Sequence, residues 1–204
     1  MALKGDVAIT GDWSHQDFEG GDPMFGLVAF DISEPTTPVE IGRLDTPGWA
    51  GSLQIDPQDE DLLYVADAPG GLRIVDIEDS RRMREIGSIQ TQVRAYGLDV
   101  VGDTVFVADN TGGLRIIDVS EPTAPVEIAS LAMDGAAYDV AVSGDRAWIA
   151  QASTGPEGGE IGQEGLAFVA ATGQGLLVLH EPGSEEVALP ILLPWLGHEA
   201  PLRP

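Results

Sequence analysis

The stretch GLRIIDVSEPTAPVEIA, residues 113–129, decides how the chain is read. Its first half is a run of branched apolar residues closed by Asp118, a short acceptor that can take backbone N–H groups as a strand turns out. Pro122 and Pro125 then remove ladder donors and hold the connection extended, and VEIA resumes a β-type run. The same order recurs in GLVAFDISEPTTPVEIG (26–42) and in GLRIVDIEDSRRMREIG (71–87), which lacks the prolines, at spacings of 45 and 42 residues. Upstream stand LLYVAD (62–67) and TVFVAD (104–109), and AYGLDVVGD (95–103) is echoed by AYDVAVSGD (137–145).

One unit is therefore four short strands. A tight Gly102-Asp103 turn joins the first two, Asn110 to Gly113 join the second to the third, and the proline loop leads into the fourth. A four-stranded antiparallel meander of about 42 residues has the size of a propeller blade. The near-identical loops SEPTTPVEIG (33–42) and SEPTAPVEIA (120–129) are then expected to solve one local geometry in two blades, and Asp31, Asp76, Asp118, Asp67 and Asp109 to be structural.

These residues resemble the LVIVD repeat family, whose signature is a strand of the type LRIIDVS followed by a loop of the type DPxxPxxVG. Residues 113–129 match closely, 26–42 match well, and 71–87 keep the strand alone. The resemblance implies an all-β fold, a β-propeller of four-stranded antiparallel blades, commonly from bacterial or archaeal cell-surface proteins, and implies little chemistry. Residues 1–204 are expected to form a single propeller domain with about four to five blades' worth of chain: units near 1–49, 50–94, 95–136 and 137–195, then a short tail at 196–204. The chain is a small ring or part of a larger one. DVAIT (6–10) aligns with a second strand, so the opening blade is expected to lack its first. In the last unit RAWIAQ (146–151) is a second strand, and LAFVAATGQGLLVLHE (166–181) aligns with TVFVADNTGGLRIIDV, which puts His180 in the place of Asp118. Residues 152–165 are expected to be an insertion between second and third strands, the alternative being an extra half-blade from residue 166.

Ten Lys and Arg against 34 Asp and Glu give a formal charge of −24, spread along the whole chain, which disfavours nucleic acid and anionic lipid as partners. No cysteine is present, so disulfides and thiolate chemistry are excluded. The first residues have no apolar run of export-signal length, and VALPILLPWLG (187–197) is too short to span a bilayer, so no membrane insertion is expected.

In propellers the loops from second to third strand and from fourth strand to the next blade share the face that rings the central channel, and long loops on a rigid scaffold carry specificity. GDWSHQDFEGGDPMF (11–25) and ASTGPEGGEIGQEG (152–165) are expanded against the four residues NTGG (110–113). Asp12, Asp17, Glu19 and Asp22 supply hard oxygen ligands of the kind calcium takes, without the spacing of a twelve-residue calcium loop. Trp13, Trp49, Arg94, Tyr96 and Tyr138 are the candidate binding surface, aromatics beside an arginine suiting a protein or glycan ligand, while the equivalent repeat positions of Tyr96 and Tyr138 equally suit packing between blades. His15, His180 and His198 stand in no hydrolase, dinucleotide or phosphate-loop motif. The expectation is a noncatalytic scaffold, extracellular or at the cell surface by resemblance, able to oligomerise if its ring is incomplete. The alternative is a divalent-metal-dependent hydrolase at the channel mouth.

Overall fold

A computed structural model describes residues 1–15, 24–133, 135–143, 146–153, 166–172, 175–179 and 187–189. Among them every helix or strand is a strand, and the strands form four antiparallel sheets in chain order. The first blade holds β1 (Ala2–Lys4), β2 (Val7–His15), β3 (Met24–Asp31) and β4 (Val39–Asp45). The second holds β5 (Ser52–Ile55), β6 (Leu62–Ala66), β7 (Leu72–Asp76) and β8 (Arg84–Ile89). The third holds β9 (Gly97–Val101), β10 (Thr104–Ala108), β11 (Leu114–Asp118) and β12 (Val126–Leu131). The fourth holds β13 (Gly135–Ser143), β14 (Arg146–Ser153), β15 (Leu166–Thr172), β16 (Gly175–Leu179) and β17 (Val187–Leu189). First strands neighbour one another, β5 lying beside both β1 and β9, and β9 beside β13. This all-β array of successive meanders is the blade architecture of a propeller.

The core lies between consecutive sheets. Leu63, Val65 and Val75 face the first blade, whereas Tyr64, Ala66, Leu72 and Ile74 face the third. A blade packed on both faces needs apolar side chains at both parities, which is why LLYVA and LRIVD are almost continuously hydrophobic. Asp31, Asp76 and Asp118 end the third strands, accepting the N–H of Ser33, Glu78 and Ser120 at 3.0, 3.0 and 2.9 Å. Those backbone bonds hold all three carboxyls below the ordinary aspartate range.

The repeated loop docks one blade on the next. A Cβ at Gly42 would run into the Ser80 carbonyl oxygen, and one at Gly87 into that of Pro122, so each fourth-strand glycine seats the third-to-fourth connection of the following blade. EDSRRM (78–83) departs from the proline sequence yet occupies the same seat, burying Ser80 and Met83.

Three expectations are corrected. The opening blade does have its first strand: Lys4 pairs with Val7 across Gly5-Asp6, as Val101 pairs with Thr104 across Gly102-Asp103, and both glycines take the positive φ that such a turn requires. In the fourth blade Leu166 lies opposite Ala150 as Leu114 lies opposite Ala108, so β15 is the third strand and Ala170 takes the place of Asp118. GLLVL forms the fourth strand, and the sheet continues to a fifth, β17. LAFVA resembles both TVFVA and GLVAF, and only ladder pairing separates the two; His180 itself lies outside the described residues. The expanded connections also begin later than expected, since β2 runs to His15, β3 starts at Met24 across a bulge, and β14 includes residues 152 and 153.

Candidate functional site: the rim where blades meet

The second and third strands of blades two and three are joined by the turns Asp67-Ala68-Pro69-Gly70-Gly71 and Asp109-Asn110-Thr111-Gly112-Gly113. The first glycine of each pair leaves room for the aspartate, because a Cβ there would overlap Asp67 Oδ2 or Asp109 Oδ2. The second adopts φ near +80° to re-enter the ladder. Both aspartates are fully buried, and each holds the backbone segment that leads into its own blade. Thr46 Oγ1 donates to Asp67 Oδ1 at 2.6 Å and the Gly48 N–H to Oδ2 at 2.9 Å. The Gln92 and Val93 N–H groups donate to Asp109 at 3.0 and 3.1 Å. Burial pushes the Asp67 carboxyl above its ordinary range, against the pull of Thr46, Gly48 and Arg73.

An arginine completes each cluster. Arg115 Nε donates to Asp109 Oδ2 at 3.1 Å, its Nη1 to Glu127 at 3.3 Å and its Nη2 to Gln92 Oε1. Arg73 stands in the same place, its Nε in an ion pair 3.6 Å from Asp67 without a hydrogen bond and its Nη1 donating to Glu85 at 3.2 Å. The first blade builds the same unit from a different strand. Asp12 lies opposite Gly26 where Asp67 faces Gly71, and Val28 occupies the arginine position. Arg43, directly across the ladder from Val28, donates to Asp12 at 3.2 Å and to Glu40 at 2.7 Å. These Asp–Arg–Glu clamps were not read from the sequence, although an arginine six residues after the buried aspartate and a glutamate twelve further on recur in blades two and three.

Two contacts between equivalent positions of neighbouring blades lie on the same loop face. The Arg94 guanidinium stands 5.4 Å over the Trp49 ring, and Tyr96 stacks on Tyr138 with centroids 5.5 Å apart and planes at 29°. Tyr138 keeps 48% of its surface exposed, and Arg94 is also exposed. Backbone bridges Ala68–Ala95 and Asn110–Ala137 fix the segments that carry Arg94, Tyr96 and Tyr138, each bridge made by two N–H donations. Trp49, Arg94, Tyr96 and Tyr138 were expected on one rim; the structure joins them as two pairs, the Tyr96–Tyr138 stack being the packing between blades that their equivalent repeat positions also suited.

The chain belongs to the LVIVD repeat family. The family model, described as the LVIVD repeat, matches residues 21–46, 58–91, 94–132 and 134–155, more than half of the chain. No curated protein matches the chain. Within this LVIVD array, Trp13 has its backbone in β2 but its side chain lies outside the described residues, as do Asp17, Glu19 and Asp22 entirely. Asp12 is engaged by Arg43, and among the described residues no group of three or more His, Asp or Glu is arranged to hold a metal ion.

Proposed function

We propose that the chain is a noncatalytic LVIVD-type propeller scaffold, extracytoplasmic, that recognises a protein or glycan on its loop-bearing face. The observation that carries this reading is the pair of aromatic contacts on one rim, with Tyr138 and Arg94 exposed on a backbone fixed by two-way bridges. One exposed aromatic ring and an arginine on rigid segments lose little side-chain entropy on contact, which suits recognition of sugar faces and of peptide planes. Arg94 is also one of only ten basic side chains on a chain of net charge −24, so a ligand carrying a carboxylate finds its attraction concentrated there.

Glycan-array and peptide-display screening of the purified chain, followed by titration of the best ligand, tests the reading. Arg94→Ala, Trp49→Ala and Tyr138→Ala are each expected to weaken binding at least about tenfold, with Tyr138→Ala costing no more than about 1.5 kcal/mol of stability through the lost Tyr96 stack. A ligand indifferent to all three changes, or steady hydrolytic or redox turnover lost on them, contradicts it.

A further inference from the structure

The first blade presents the same docking loop as the third, and in the first blade no described glycine seats that loop. We infer that the outer face of the first blade, with residues 33–39 as its plug, is a docking surface for another LVIVD-type blade, one that bears glycine at the Gly42 position of its fourth strand.

The third blade shows what a seated loop looks like: the Pro122 carbonyl lies against Gly87, and Pro122 and Pro125 are half-buried. In the second blade the corresponding Ser80 and Met83 are buried against the first. In the first blade the equivalent Pro35 and Pro38 are exposed, although the loop holds the same internal form. Thr37 N–H donates to the Glu34 carbonyl at 2.9 Å just as Ala124 N–H donates to Glu121, so the loop is shaped for a seat before it has one. The sheet behind it agrees. Leu3 is 57% exposed, while Val100, at the same ladder position of the third blade, is 5% exposed. Phe30 is half-buried where Ile117 is fully buried.

The seats within this chain identify the occupant. Gly42 and Gly87 already receive the second and third blades. The third blade carries Ala129 at that position, paired with Ile116 as Gly87 is with Ile74, and β13 packs beside β9 and β10 there. The fourth blade carries Leu179, paired with Phe168. Both seated loops meet a glycine, and any longer side chain there would occupy the space the carbonyl fills. A fourth blade with leucine at this position cannot receive the first-blade loop as Gly42 and Gly87 receive theirs. The partner is accordingly a blade with glycine at this position, which the described third and fourth blades do not carry.

Hydrogen exchange followed by mass spectrometry tests this on two proteins. In the intact chain, amides of residues 33–39 are expected to exchange at least about tenfold faster than those of 120–126, since the local hydrogen bonds match and only the seat differs. In a chain with a copy of residues 50–97 joined ahead of Met1, which supplies a glycine-bearing fourth strand at natural blade spacing, residues 33–39 are expected to slow to the rate of 120–126. Gly87→Leu in the added copy should remove that protection. Equal protection of the two loops in the intact chain overturns the inference: if independent of concentration, the chain covers its own loop, and if concentration-dependent, a second copy does. Unchanged exchange of 33–39 beside a folded added blade overturns it as well.

Discussion

The clamps of the third and first blades use the same three residue types in different surroundings. In the third blade Asp109 is fully buried and Arg115 reaches it from the strand next to its own, with two backbone N–H groups completing the shell. In the first blade the arginine has crossed to the fourth strand, and the Arg43 side chain is 38% exposed. A charge withdrawn from water depends on every partner, whereas one still half in solvent can lose a partner cheaply. The position in the ladder is therefore preserved, and the energy attached to it is not.

Removing each carboxylate in turn separates the buried clamp from the half-exposed one. Asp109→Ala leaves the buried Arg115 Nε and two backbone donors unpaired, Glu127 and Gln92 still holding the rest of the guanidinium, and is expected to cost about 3–5 kcal/mol in urea unfolding; Asp12→Ala should cost under about half as much. Equal losses would mean that burial does not set the difference. Next in size is Gly87→Ala, which adds only the methyl that Ala129 already carries but drives it into the Pro122 carbonyl, at an expected cost of about 2–3 kcal/mol. Ala129→Gly is expected to change stability by under about 1 kcal/mol. If Gly87→Ala proved neutral, the loop would not be seated as described.

The smallest effect concerns pH, and it separates the buried aspartates from those at strand ends. Asp118 has a folded pKa below its ordinary value of 3.8, so its contribution is present above that value and is lost as pH falls through the folded one. Asp67 has a folded pKa above 3.8, so the folded state binds its proton more tightly, and stability from this group falls as pH rises between the two values. Asp118→Asn should therefore destabilise more at pH 7 than at pH 3, and Asp67→Asn more at pH 3 than at pH 7. Denaturant midpoints across that range read both signs, and parallel curves would refute the assignment.

Three blades were legible in the sequence because their loops, turns and strand endings recur in order. The first strand was legible too, though not read: Lys4-Gly5-Asp6-Val7 repeats the turn of Val101-Gly102-Asp103-Thr104. In the fourth blade the expected long connection does join the second strand to the third. Only the place of His180 was misaligned, because LAFVA satisfies two strand patterns at once and pairing partners, not composition, decide between them. The burial of Asp67 and Asp109 follows from their place before a double glycine, but their donors come from residues 46–48 and 92–93, which only the fold brings near. Arg94 and Trp49 occupy equivalent repeat positions, so their neighbourhood could be inferred and their stacking could not.

One Asp–Arg–Glu clamp is built in three blades by two arrangements of the chain. A double-mutant cycle on Val28→Arg and Arg43→Ser tests it most directly, because together they return the first blade to the arginine and serine found at Arg115 and Ser130. Arg43→Ser alone is expected to cost about 0.5–1 kcal/mol, and Val28→Arg alone more, since it sets two guanidiniums side by side. The account predicts that the double variant is more stable than the sum of the single losses by at least about 1 kcal/mol; losses that simply add would contradict it.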